Sequence, residues 1–311
     1  MSALPPTGSR RVAVIDVGGT NLRTAIIDDA GHMREHAVHA TDWSERGAGV
    51  VRQCLDSARA AVERDPGVAA VGVAATGVFS LDGRVLGARP GREAWQGVDL
   101  AARIAAAVGR PARAANDGQL MALGEHRFGR AHRRARVLLG VSLGTGLGGG
   151  LVIDGSLYRG AFGAAGEIGH VSVASGGRPC HCGRAGCVES YVSGPALASR
   201  YAEATGRGIT PSEVCDRAER GEPEAQALLD QVVVELGSAL ASVLALADAD
   251  ALVLGGGLGL RLAPRLPALR QALSRPRLVG REPQLTAAAL GASAPLFGAA
   301  ALALDAVGAA Q

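Results

Sequence analysis

The chain of 311 residues contains no lysine, so apart from the histidines all of its basic side chains are arginine. That absence excludes a Walker A phosphate loop, the strand lysine of protein kinases and Schiff-base catalysis. Phosphate chemistry on this chain must rely on backbone N–H groups, arginine and a metal ion. Aromatic residues are also scarce, at 3% against 48% hydrophobic residues in all, so the core must be built from Ala, Val, Leu and Gly. A formal net charge of +3 is too small and too dispersed to imply nucleic acid. The one dense basic run, residues 127–136 with His132, reads as a solvated loop or helix end. The first ten residues are polar and proline-rich, without the apolar core of a secretory signal. Asp248 and Asp250 interrupt the apolar stretch 239–254, and Pro295 with many alanines weakens 286–304, so both are expected as buried helices rather than membrane spans. The expectation is a cytoplasmic protein with no nucleic-acid or membrane partner.

What is present divides into two similar halves. Residues 12–15 form a short apolar run that ends in Asp16 and the turn Gly18-Gly19-Thr20, after which 22–27 reads as a returning strand. Residues 137–141 repeat the pattern, ending in the turn Gly144-Thr145-Gly146 before a second returning strand through Val152-Ile153. Further strands at 68–74 and 251–254 alternate with helical stretches at 48–64, 100–108, 119–125 and 224–247. That alternation predicts an α/β architecture with parallel strands. The length allows two lobes, expected at 1–117 and 118–311, with the C-terminal helix packing back on the first. Asp16, Asp117, Thr145 and Gly255 fall at strand ends, where open α/β sheets bind their ligands.

Glycine turns after strands let the backbone approach an anion, and their exposed N–H groups cradle phosphate oxygens. One such turn is usually only a turn. Two matching ones, with Gly255-Gly256-Gly257 after a third strand, point to phosphate, and Asp16 beside them is placed to hold Mg²⁺ directly or through water. Asn116-Asp117 opens a helix and has two readings. Either it is an ordinary N-cap, or Asp117 is a general base for a sugar hydroxyl that Asn116 orients. Phosphoryl transfer needs positioning and charge neutralisation, for which a carboxylate, Mg²⁺ and amide cradles suffice.

The chain has five cysteines, and three of them, Cys180, Cys182 and Cys187, fall within eight positions between turn-forming glycines. With His170 upstream they make a complete tetrahedral zinc set, the composition of a structural site. A disulfide or a chance cluster is the alternative, and His181 competes with His170 as fourth ligand. Cys54 and Cys215 read as small core hydrophobes. Glu167 and Glu189 flank the cluster, as if the metal shaped a binding surface.

Taken together, these motifs resemble the ROK-family sugar kinases, which have a two-lobed hexokinase/actin-like ATPase (ribonuclease H-like) fold. The resemblance rests on Asp16-Val17-Gly18-Gly19-Thr20-Asn21, Asn116-Asp117, the run from Gly144 to Gly150, Gly163 to His170, the Cys-x-Cys-Gly-x-x-Gly-Cys-x-Glu run from Cys180 to Glu189, and Leu254-Gly255-Gly256-Gly257. It implies ATP-dependent phosphorylation of a hexose, typically at O6, with Asp117 as base. It further implies that Glu167, His170 and Glu189 contact sugar hydroxyls or an amino substituent, that zinc is structural and Mg²⁺ catalytic, and that the protein is a homodimer. Two departures from the family pattern, Ala75-Thr76-Gly77 and Ala88-Arg89-Pro90-Gly91, fall on one wall of the implied sugar pocket. The expected activity is that of a glucokinase. The alternatives are a kinase of N-acetylmannosamine, N-acetylglucosamine or kanosamine, a sugar-sensing repressor, for whose N-terminal DNA-binding domain a first strand at Val12 leaves no room, and a silent binding protein.

Overall fold

The computed structural model describes residues 9–88, 91–129, 132–273 and 282–308. Strand β1 (Arg11–Val17) is apolar on both faces and buried from Val12 onward, because its sheet is covered on both sides. Its side chains alternate between two cores. Ala13, Ile15 and Val17 pack in one, and Val12 and Val14 in another.

Around β1 the chain lays down β2 (Asn21–Asp28), β3 (Met33–Ala40), helix α1 (Ser44–Arg64) and β4 (Val68–Ala75). The hairpin β5 (Val78–Phe79) and β6 (Val85–Gly87), helix α2 (Leu100–Val108), β7 (Ala112–Asn116) and α3 (Asp117–Arg127) follow. The first sheet runs β3-β2-β1-β4-β7, with β1, β2 and β3 antiparallel and β1, β4 and β7 parallel.

The second sheet repeats that plan. Strands β8 (Val137–Leu143), β9 (Leu147–Ile153) and β10 (Ser156–Tyr158) are an antiparallel meander. Helices α4 (Glu189–Val192), α5 (Gly194–Thr205), α6 (Pro211–Glu219) and α7 (Pro223–Ala247) precede β11 (Ala251–Gly255). After it come α8 (Gly257–Arg261), α9 (Leu266–Leu273), β12 (Gln284–Ala287) and α10 (Ala294–Gly308). The order is β10-β9-β8-β11-β12, with β11 parallel to both neighbours. The repeated strand–turn–strand pattern in the sequence is therefore a repeated sheet.

Helices α3 and α10 fill the space between the sheets, α10 packing on α3, β1 and β4. They approach at backbone distance: a Cβ on Gly298 would lie 1.8 Å from the Leu120 carbonyl oxygen, and one on Gly124 2.3 Å from that of Ala294. This is how a core poor in aromatics reaches close packing.

Two expectations need correction. Neither long apolar stretch is a single helix, for 239–254 is the end of α7 followed by β11, and 286–304 is the end of β12 followed by α10. Asp248 at the α7 C-cap is left-handed (φ 44°) and turns the chain into the strand. Helices α7 and 291–308 are long and apolar enough to cross a membrane by length and composition, and both carry buried residues of the core. Cys54 and Cys215 are buried thiols in the cores, as expected.

Candidate active site

The proposed phosphate turns sit where the sequence placed them, each at the carboxyl end of a strand. Gly18-Gly19-Thr20 joins β1 to β2, Gly144-Thr145-Gly146 joins β8 to β9, and Gly255-Gly256-Gly257 joins β11 to α8. The last two adjoin. Gly256 has φ +80°, and a Cβ there would lie 2.3 Å from the carbonyl oxygen of Leu143, so only glycine fits at that crossing.

Asn116 is the N-cap of α3, its Oδ1 accepting from the N–H groups of Gly118 (2.9 Å) and Gln119 (3.2 Å). Its Nδ2 donates to the Gly77 carbonyl at 3.0 Å, tying the cap to the Ala75-Thr76-Gly77 turn after β4. The capping reading of Asn116 is thus realised. Asp117 is the first residue of the helix and accepts from Gly118 N–H at 2.9 Å.

Acidic groups converge around this corner. Asp16 is 5% exposed, and its pKa rises to about 7, first through burial and then through the negative charge of Asp117, against the opposing effect of Arg23. Arg23 Nη1 stands 3.3 Å from Asp16 Oδ2. Glu167 is likewise raised, by burial and by the charges of Glu189 and Asp117. Asp16, at a strand end beside a glycine turn, suits Mg²⁺ held directly or through water.

That electrostatic arrangement predicts a stability trade. The folded pKa of Asp16 lies above its unfolded value, so folding stability is fully present below about pH 4 and falls as pH rises through about 7. Asp16→Asn removes the titration. In thermal melts the variant is expected to melt several degrees above the native chain at pH 8 and much closer to it at pH 4.5. Parallel pH curves for the two proteins would contradict the burial argument.

Four ligand atoms, from His170, Cys180, Cys182 and Cys187, lie within 4.8 Å of one another. Tetrahedral zinc with bonds of about 2.0–2.3 Å would separate two sulfurs by about 3.8 Å and a nitrogen from a sulfur by about 3.6 Å. The distance from Cys182 Sγ to Cys187 Sγ is 3.6 Å, and that from His170 Nδ1 to Cys180 Sγ is also 3.6 Å. A disulfide needs about 2.05 Å, and all five cysteines are free. Burial lowers the His170 pKa, which favours the neutral ring a ligand must have. Its Nε2 faces the other way, 3.8 Å from Glu167 Oε2. Gly183 (φ +88°) and Gly186 (φ +82°) make the tight turns of the loop.

His181 is outside that tetrahedron. Its Nδ1 lies 3.1 Å from Glu189 Oε1, while Glu189 Oε2 accepts the Leu147 N–H at 2.7 Å. Glu189 therefore ties the cysteine loop to β9 just beyond the Gly144-Thr145-Gly146 turn, and Gly194 N–H adds a second tie to the Gly144 carbonyl at 2.8 Å. Neither this link nor the role of Gln119 is visible in the residue pattern. That buried side chain donates to the carbonyls of Gly163 (2.9 Å) and Ala165 (2.8 Å), fixing the loop before Glu167 to the start of α3. Arg159, buried enough to lower its pKa, donates to Ser80 and Leu81 carbonyls at 2.9 Å across to the β5–β6 hairpin. Arg89 and Pro90, where the sequence departs from the family pattern, lie outside the described residues.

A family model described as the ROK family matches residues 12–306. The chain is 32% identical to a glucokinase of Streptomyces coelicolor, over 94% of this chain and 96% of that protein. It is 35% identical to a kanosamine kinase of Amycolatopsis mediterranei, over 93% and 94% of the two chains. Among solved structures, a ROK-family glucokinase from Streptomyces griseus, in complex with glucose and AMPPNP, superposes with a TM-score of 0.81 at 32% identity, covering 96% of this chain and 100% of that one.

Proposed function

The chain belongs to the ROK family, and from that premise we propose that it is an ATP-dependent hexose kinase acting on the 6-hydroxyl of glucose or a close relative. The observation that carries the reading is the placement of Asp16 and Asp117 at the carboxyl ends of β1 and β7, parallel strands either side of β4 in one sheet, with the charge of Asp117 felt at Asp16. Asp117 would accept the proton of the sugar hydroxyl as its oxygen bonds to the γ-phosphorus and the bond to ADP breaks. Asp16 would hold Mg²⁺, which when bound neutralises charge on the phosphates. The turns Gly18-Gly19-Thr20, Gly144-Thr145-Gly146 and Gly255-Gly256-Gly257 would present N–H groups to the nucleotide.

Asn116, Glu167, His170 and Glu189 would bind the sugar. Three of them hang on the cysteine loop or beside it, and zinc on His170, Cys180, Cys182 and Cys187 would fix their positions when bound. In this reading the lobes are 1–117, with α10 packed on it, and 118–311, and the protein is a cytoplasmic homodimer. A kinase of aminosugars is the second reading. It is favoured by the kanosamine kinase similarity and by the pairing of Glu167 with Glu189, two carboxylates suited to an ammonium group.

The test is ADP release coupled to NADH oxidation over a panel of glucose, mannose, N-acetylmannosamine, N-acetylglucosamine and kanosamine. Glucose is expected to give the highest kcat/KM. A higher value for kanosamine would transfer the assignment to the second reading, and no sugar-dependent ADP release from any member would sink both.

A further inference from the structure

The chain has two tryptophans, and both lie between the first phosphate turn and the Asn116-Asp117 corner. Three consecutive carbonyls of that turn are held from one short segment. Thr41 Oγ1 donates to Gly18 O at 3.0 Å, Trp43 Nε1 to Gly19 O at 2.9 Å, and Thr41 N–H to Thr20 O at 2.9 Å. Peptide planarity sets each N–H opposite the preceding carbonyl. Pulling the Gly18 and Gly19 carbonyls toward Thr41 and Trp43 therefore turns the Gly19 and Thr20 N–H groups to the other side.

The indole of Trp43 is itself held. The Arg92 guanidinium carbon stands 3.5 Å from its ring centroid, and Trp95 meets it edge-on at 6.0 Å. Trp95 is buried, with its Nε1 3.4 Å from the Thr76 carbonyl, one residue before the Gly77 carbonyl that Asn116 binds. Glu45, Arg46 and Gly47 are all left-handed (φ 51°, 58° and 103°) where α1 begins. For the two non-glycine residues this is a strained conformation, of the kind that persists where surrounding contacts over-determine it.

We propose that Trp43 is a positioning residue for the nucleotide phosphates, aiming the Gly19 and Thr20 N–H groups by holding the Gly19 carbonyl, with Arg92 and Trp95 holding the indole. The inference rests on the Gly18-Gly19-Thr20 turn being a nucleotide site, as proposed above. It adds that the turn is set from behind by Thr41 and Trp43, and that one aromatic bridge connects it to the cap beneath the base.

The experiment titrates Mg²⁺–AMPPNP into the full-length protein by calorimetry, comparing the native chain with Trp43→Phe, Thr41→Val and Arg92→Lys. Trp43→Phe keeps the ring and loses the N–H donor, and Arg92→Lys keeps the charge and loses the planar stack. Loss of either hydrogen bond is expected to weaken nucleotide binding about tenfold and loss of the stack about threefold, with the hexose KM within twofold of native. Nucleotide affinities within twofold of native for Trp43→Phe and Thr41→Val would overturn the inference, as would a parallel loss of nucleotide and hexose binding. Should Trp43→Phe fail to fold, the other two variants decide in the same way. Failure of the native protein to bind AMPPNP would instead overturn the kinase reading.

Discussion

Asp117→Asn is expected to lower kcat by about three orders of magnitude, within the span a positioned general base contributes, while both KM values stay within a few-fold. The substitution preserves shape. Asn Oδ1 can still accept the Gly118 N–H that Asp117 accepts at 2.9 Å, and the helix keeps Asn116 as its cap. What is lost is the proposed proton acceptor. The same substitution should leave a second signature that does not depend on turnover. Asp117 is the charge that, after burial, raises Asp16 toward 7, so its removal should move the Asp16 titration to lower pH. Carbon-detected NMR of the aspartate carboxyls would follow that shift directly. A variant retaining more than a tenth of native turnover would remove Asp117 from its role and direct attention to Glu167, the other raised carboxylate near it.

The parts of the site that were legible in the sequence are those made by local chemistry. A short apolar run followed by glycines reads as a strand entering a tight turn, and β1, β8 and β11 and the turns after them could be read in this way. The clustered cysteines carried their own spacing rule, and Asn116 its capping preference. What escaped was made by distant contacts. Strand β3, Met33-Arg-Glu-His-Ala-Val-His-Ala40, is a polar edge with no buried residue, and no hydrophobic pattern announces it. The place of α10 between the sheets depends on glycines 72, 124 and 298 meeting backbone carbonyls far along the chain. Gln119 looked like an ordinary helix residue and His181 like a rival zinc ligand, because their contacts are defined by Gly163, Ala165 and Glu189. Trp43 carried no motif either, and its partners lie at Gly19 and Arg92.

Cys187→Ser is expected to abolish zinc binding, which should stand at about one equivalent per native chain, and to raise the sugar KM by at least tenfold. Cys187 is the buried member of the cluster, with burial pushing its thiol up to about 12, so it is the ligand that gains most from a metal able to hold it as thiolate. It sits two residues before Glu189, and its Sγ lies 3.8 Å from the carbonyl oxygen of His170. Without the fourth ligand the loop that carries Glu189 should loosen, and Glu189 should no longer be held at the Leu147 N–H. The consequence should fall unevenly. The turns after β1 and β11 are built apart from the loop, and the Gly144-Thr145-Gly146 turn keeps its Gly194 N–H tie when the Leu147 tie is lost, so nucleotide affinity should fall no more than a few-fold while sugar binding collapses. Melting should begin at a lower temperature, since a zinc bound there would be part of folding. Cys54→Ala, in the core beside β1 and far from the cluster in sequence, serves as the control and should keep its zinc. Metal analysis finding no zinc in native protein of full activity would defeat the scaffold role, whereas zinc-free Cys187→Ser with a native sugar KM would separate the metal from the sugar wall.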